Sequence, residues 1–397
     1  MQVIKLLHKL LTVAVPAMHA TRLKSLVAHV EGLLIGQRLG LTAVGRHLRG
    51  KTREKDKIKR ADRLVGNHHL SSERRPLYGW LTRLLVGGAV HPHIIVDWSD
   101  VDAARTLCVL RAAIVVGGRA LPIYEEVHTR YHHPDDTGRF LKRLAALLPA
   151  TCRPVIVTDA GFKCPWYTAV EALGWYYLGR VRNNDYVCLA GTADWISNKT
   201  LHADATGRPR AVGALRLTRQ TGFMTRAYLY RQPAQGRSKL TVHGQRQRNG
   251  ASLKQAVSAR EPWLLVSNLE PRRNSAKLVV AIYRQRMAIE QSFRDLKAHR
   301  HGFALRQNLG RDASRVANLL LIAALAMLAT WLIGIVGQQH GLVRGLQANT
   351  ERREPVLSVF FIGTRLLQQR LYCSFMALRD ALRRLTESIE QHAPEFA

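Results

Sequence analysis

Apolar residues change their spacing several times along the chain, and each change marks a different kind of element. Over residues 1–86 they recur at helical intervals. LTAVGRHLRG and KDKIKRADRLVGN predict two short helices, with Thr42 as N-cap of the first, and SSERRPLYGWLTRLLV sets a serine ahead of an apolar stripe. From residue 93 the period shortens. HIIVDWSD, RTLCVLRAAIVVG and RALPIYEEV are β-branched runs, and the Gly117–Gly118 pair makes a turn, so a three-stranded antiparallel meander is expected. DTGRFLKRLAALLP returns to helical spacing. RPVIVTDAG is a short apolar strand ending in an acid, FKCPWYTAVEALG a helix and WYYLGRV a further strand. The order β-β-β-α-β-α-β places Asp97 near the centre of the first strand and Asp159 at the end of the fourth.

Residues 182–274 break this alternation. Short runs such as ALRLT and RAYLYR stand between Gly-, Pro- and Asn-rich joins, which predicts a β-rich insertion. NSAKLVVAIYRQRMAIEQSFRDLKAHR then reads as one helix of about 24 residues, capped by Asn274 or Ser275. Residues 316–336 are apolar all round and long enough to cross a bilayer. The segment is single and has basic residues on both sides, so the expectation is the buried centre of a large domain rather than a membrane anchor. A helical tail covers 355–393. The expected class is α/β: a mixed-sheet core with a β-rich insertion, flanked by helical N- and C-terminal regions. The expected domains are 1–86, 87–345 and 346–397, the last a possible dimerisation region.

Charge adds a partner to this outline. Sixty Lys and Arg against 28 Asp and Glu leave +32, and residues 205–260 contain 12 basic and no acidic residues. Residues 1–86 hold 17 basic and 5 acidic residues. Two separate basic regions imply contact with a polyanion, nucleic acid before an anionic membrane. The five cysteines show no zinc-ligand spacing, which fits reduced thiols in a cytosol.

The candidate chemistry lies in YRQRMAIEQSFRDLK. On a continuous helix Tyr283, Arg286, Glu290 and Lys297 fall within an arc of about 60°. Asp97, Asp159 and Glu290 together would form a carboxylate cluster. Such a cluster is costly unless divalent cations neutralise it, and oxygen donors suit Mg²⁺ or Mn²⁺. Two ions of this kind serve in-line phosphoryl transfer, with Arg286 and Lys297 holding phosphates of the strand. Taken singly, each residue has an ordinary reading as well: a strand-end turn, an i,i+4 pair, a half-buried tyrosine.

The spacing Tyr-x2-Arg-x3-Glu-x6-Lys, with VDWSD and TDAGFKCPWY ahead of it, resembles the DDE-type insertion-sequence transposases with a ribonuclease-H-like fold, and among them the insertion-sequence-four family. The likeness runs from IKRADRLVGNHHL to the QANT segment near residue 350. It implies that Asp97, Asp159 and Glu290 are the metal-binding catalytic triad, and that double-stranded DNA is cut at element ends through a hairpin by a homodimer and joined to a target. It further implies that Trp263, in EPWLLVSNL, stacks on a flipped base, that Met287 fills the gap left behind, and that Tyr283, Arg286 and Lys297 contact DNA. The insertion and tail match loosely, so no residue roles carry over there. A metal-dependent nuclease or resolvase on the same fold, a non-catalytic DNA-binding regulator and a membrane-anchored protein are the alternative readings.

Overall fold

The computed structural model describes residues 1–102, 104–131, 133–182, 185–233, 245, 250, 260–300, 302–308, 310–348, 350, 356–371 and 373–392. They form two compact units: Met1–Pro154 with Met287–Ala397, and Val155–Arg286. Elements are numbered along the chain.

The first unit opens with five helices, α1 (Gln2–Ala14), α2 (Ala20–Gly36), α3 (Leu41–Arg46), α4 (Glu54–Val65) and α5 (His68–Val86). The expected meander follows as β1 (His93–Asp100), β2 (Cys108–Val116) and β3 (Arg119–His128), then α6 (Pro134–Ala145). Gly117 and Gly118 join β2 to β3 with φ of 50° and 75°. Both lie in the left-handed region that a two-residue hairpin turn of this hand requires. In the register Asp97 faces Arg111, and Arg111 faces Glu125. Pro122 lies in β3 at a shift of register, on the outer strand of the meander, where a missing N–H does least harm. After the second unit the chain returns as α10 (Met287–Lys297), α11 (Ala313–Gln339), α12 (Val359–Gln368) and α13 (Phe375–His392).

The apolar segment 316–336 lies in α11. By length and composition this 27-residue helix could cross a membrane, yet 94% of its most apolar window is buried inside the protein. It packs against α12, β3, α2, α13 and α5, whose apolar faces leave it no solvent side. The crossing of α11 and α12 depends on two glycines. A Cβ on Gly334 would stand 2.0 Å from the Val359 carbonyl oxygen, and one on Gly363 2.0 Å from that of Thr330. Backbone cannot yield as a side chain does. Gly363→Ala is therefore expected to cost about 1–3 kcal/mol by forcing the helices apart, read as a lower urea midpoint at unchanged m-value.

The second unit contains β4 (Val155–Thr158), α7 (Cys164–Glu171), β5 (Tyr176–Val181), β6 (Tyr186–Leu189), β7 (Ile196–Ser197), α8 (Asn198–Leu201), β8 (Arg210–Leu217), β9 (Phe223–Tyr230), β10 (Trp263–Ser267) and α9 (Ser275–Arg284). Its strand order is β4-β5-β10-β9-β8-β6-β7. β4 and β5 run parallel across α7, which completes the expected β-β-β-α-β-α-β sequence. β5 and β10 are hydrogen-bonded neighbours, although β6 to β9 separate them along the chain. The four strands extend the sheet beyond β10, as an insertion between two adjoining strands would. Most of the acid-free stretch between 234 and 259 falls outside the described residues.

Thr42 does not cap its helix: α3 starts at Leu41 with Gly40 as N-cap, and Thr42 lies inside it. A second expectation fails as well. The single helix over Tyr283, Arg286, Glu290 and Lys297 is two helices, α9 ending at Arg284 and α10 starting at Met287. No Gly or Pro causes the break. Between them the N–H of Gln285 donates to Ile282 and that of Arg286 to Tyr283, bonds that reach back three residues instead of four. Such bonding turns the chain faster than an α-helix does, so the arc computed for a continuous helix does not carry through the joint.

Candidate active site

In the first unit, β1 and α10 hold the residues of interest. Asp97 is the fifth of eight residues in β1, half-buried, and its carboxylate accepts the N–H of Trp98 at 2.8 Å. Ser99, two residues on, points to the same face of the strand. Glu290 lies exposed in the first turn of α10, where an acid suits the positive end of the helix, and Lys297 in the last. Lys297 Nζ donates to Ser99 Oγ at 2.5 Å and sits 5.2 Å from the centre of the Phe293 ring. Arg111 lies on the same ring, at 4.4 Å.

Arg111 is the anchor of this region. Its side chain is 1% exposed and pairs at 2.7 Å with Glu125, which is 2% exposed. It also donates to Ser292 Oγ on α10 at 3.0 Å, while the Tyr78 hydroxyl of α5 donates to Glu125 at 3.0 Å. Arg119 pairs with Asp295 at 2.6 Å, a second tie between the meander and α10. Strand and helix are thus fixed to each other by buried charge as well as apolar contact. Burial pushes the Asp295 carboxyl up to about 6, against the pull of Arg119.

Burial also pushes the Lys297 ammonium down to about 8, helped by Arg111 and Arg306 and opposed by Asp100 and Asp97. An unfolded lysine keeps its proton to about 10.4. Between these values the unfolded chain binds more protons, so stability gained from this group rises with pH from about 8 upward, and the full penalty stands below 8. Lys297→Met, which keeps the packing length, is expected to raise the urea midpoint of metal-free protein at pH 7. The gain should shrink by pH 10, and an equal gain at both values would refute the account.

In the second unit, Asp159 directly follows β4, half-buried, and accepts the N–H of Gly161 at 2.8 Å. Trp263 opens β10 and is 9% exposed, its ring edge-on to Tyr230 at 5.7 Å and to Tyr283 at 5.0 Å. Tyr283 is buried in α9, and Arg284 lies over Tyr230 at 5.2 Å. Arg286 is half-buried. Arg182 and Arg180 both reach Glu261, at 2.5 and 3.5 Å. Burial lowers the pKa of Arg180, and the charges of Arg182 and Arg286 lower it further, while Tyr283 and Glu261 oppose them. Arg180 and Arg182 therefore share one carboxylate. In the sequence Arg180 and Arg182 are marked only by GRVR at the end of an apolar strand.

Of the expected site residues, Asp97, Met287, Glu290 and Lys297 belong to the first unit and Asp159, Trp263, Tyr283 and Arg286 to the second. Among the described residues no group of three or more His, Cys, Asp or Glu side chains stands ready to hold a metal ion. The donors themselves, carboxylate oxygens without thiol or imidazole, suit a hard divalent cation.

No curated protein matches the chain. The family described as a transposase DDE domain matches residues 88–328, more than half of its length, from before β1 to the middle of α11. Members of that family cleave and join DNA with the help of divalent metal ions. With a mixed α/β, ribonuclease-H-like core between helical flanks, this chain belongs to the DDE transposases.

Proposed function

We propose that the protein is a cut-and-paste transposase of the insertion-sequence-four family, with a likeness to the transposase of the tetracycline-resistance transposon. Asp97, Asp159 and Glu290 are its catalytic carboxylates and would hold Mg²⁺ or Mn²⁺. The observation that carries the reading is the spacing Tyr283-x2-Arg286-x3-Glu290-x6-Lys297, combined with an acid in mid-β1 and another directly after β4. Bound divalent ions would supply activation of an oxygen nucleophile and neutralisation of the leaving oxygen.

The protein's own groups do the rest. Lys297, held by Ser99, and Arg286 bind strand phosphates. The nick frees a 3′-hydroxyl, which attacks the opposite strand to give a hairpin; the hairpin is reopened and the 3′ ends are joined to target DNA. Trp263 stacks on a base flipped from the bent strand and Met287 fills its place. Since Trp263 packs against Tyr230 and Tyr283, its ring must turn out of that contact to take a base. Residues 1–86 bind the element ends, residues 87–345 form the catalytic domain with its insertion at 182–274, and residues 346–397 support a homodimer. The protein works in the bacterial cytoplasm at the nucleoid, without a membrane partner.

End-bearing duplex labelled on each strand and incubated with Mg²⁺ should yield nicked, hairpin and joined products in turn. Trp263→Ala should leave nicking near wild type and slow hairpin formation by roughly tenfold to a hundredfold, the worth of one base stacked on an aromatic ring. Equal loss at both steps would remove Trp263 from base flipping.

A further inference from the structure

A cavity of about 450 Å³ opens in the first unit between α5, β3, α6 and the start of α11. None of the proposed catalytic residues lines it. Its floor carries Glu125 and Glu126, each already balanced. Glu125 pairs with Arg111, and Glu126 accepts from Arg143 at 3.1 Å and from the Tyr124 hydroxyl at 2.5 Å, with His128 at 3.4 Å.

Two cations, Arg74 and Arg75, form no ion pair with a carboxylate among the described residues, although the charge of Glu126 reaches Arg74. Arg74 spends its Nη1 on neutral acceptors, Asn318 Oδ1 at 2.8 Å and the Ser314 carbonyl at 3.2 Å. Arg75 is exposed and makes no hydrogen bond or ion pair among the described residues. Burial holds the Arg74 guanidinium below its ordinary value, the sign of a charge short of solvent. The first turn of α11 forms another wall. Ser71 and Ser314 hydroxyls meet there at 3.0 Å, and Asp312 caps the helix by accepting the Arg315 N–H. Arg74, Arg75 and Arg143 on the lining outnumber Glu125 and Glu126, and Arg111 already pairs with Glu125, so the pocket is positive. Its free hydrogen-bonding capacity is that of donors, at the positive end of a 27-residue helix. A monoanion with several acceptor oxygens meets both demands, and guanidinium matches phosphate in shape as well as charge.

We propose that this cavity is a phosphodiester site, where a backbone phosphate of duplex DNA docks on Arg74 and Arg75 beside the first turn of α11. The choice of DNA rests on the chain being a DNA transposase. Free phosphate or a nucleotide offers the same chemistry from another source. The site would position DNA and carry no base preference, since phosphate contacts fix register without reading sequence.

The test measures binding in chelator, so cleavage plays no part and the catalytic reading stands or falls on other experiments. Arg75→Ala and Arg75→Glu alter an exposed side chain. Ser314→Asp places an acid beside Arg74 in the first turn of α11, where it favours the helix, so thermal stability should hold or rise. Affinity for a short duplex of arbitrary sequence is measured across a salt series. Each variant should bind roughly fivefold more weakly at low salt, and the slope of log K against log salt should fall by about 0.9, one phosphate contact. Wild-type affinity and slope in all three variants would overturn the proposal. So would variants that lose inorganic phosphate or a deoxynucleoside monophosphate but keep the duplex, since the pocket would then serve small anions.

Discussion

Replacing Glu290 by Gln, or Asp97 or Asp159 by Asn, is expected to slow divalent-metal-dependent DNA cleavage by about a thousandfold or more, while DNA binding changes little. The amides keep shape and lose charge. Glu290 is exposed, so its neutralisation disturbs no core. Asp97 and Asp159 each accept a backbone N–H, from Trp98 and from Gly161, and the amide oxygen of asparagine can still do so. What disappears is the negative charge that would attract a divalent ion and set it against the scissile phosphate. Such an ion is worth several kcal/mol to the transition state, and 1.36 kcal/mol corresponds to tenfold in rate. Cleavage rate on labelled ends is to be compared with binding of the same DNA in chelator. A variant that cuts at wild-type rate takes its residue out of the site. One that loses binding and cleavage together assigns that residue to folding or to DNA contact.

What could be read in the sequence divides along a physical line. The meander, the positions of Asp97 and Asp159 and the inserted strands followed from spacing, because a strand or turn is decided by a few residues and their neighbours. The burial of α11 followed from an apolar character with no polar side to offer solvent. The break at Gln285 and Arg286 did not follow, since no residue there is a poor helix former and only the hydrogen-bond pattern reveals it. Nor did the buried pair of Arg111 and Glu125. Arg in an apolar strand reads as a surface residue until a second strand brings its partner opposite, and that register is long-range information. Trp263 belongs to the same class. EPWLLVSNL marks an aromatic at the start of a strand, but its contacts with Tyr230 and Tyr283 come from two other elements.

That hidden pair should dominate stability. Glu125→Ala would leave the buried Arg111 charge with the Ser292 hydroxyl, the Phe293 ring and the more distant charge of Asp295, and would strip the Tyr78 hydroxyl of its acceptor. Breaking one side of a buried ion pair costs about 3–5 kcal/mol, a large part of what a domain has to lose. The double variant Arg111→Met, Glu125→Leu removes both charges and their desolvation, so it should regain more than half of the loss despite the orphaned Tyr78 and Ser292 hydroxyls. Urea unfolding of the two variants separates these cases, and a loss under about 1 kcal/mol in Glu125→Ala would show that the charge is solvated after all. Cleavage should not return in step with stability. Arg111 faces Asp97 across β1 and β2 and grips α10 at Ser292, two residues from Glu290. An apolar methionine can fill the space but cannot hold that helix by a hydrogen bond, so a stable, slow enzyme is the expected double variant. A double variant that recovered both stability and rate would reduce Arg111 to filler and leave apolar packing, with the Arg119–Asp295 and Lys297–Ser99 ties, to hold α10 in place.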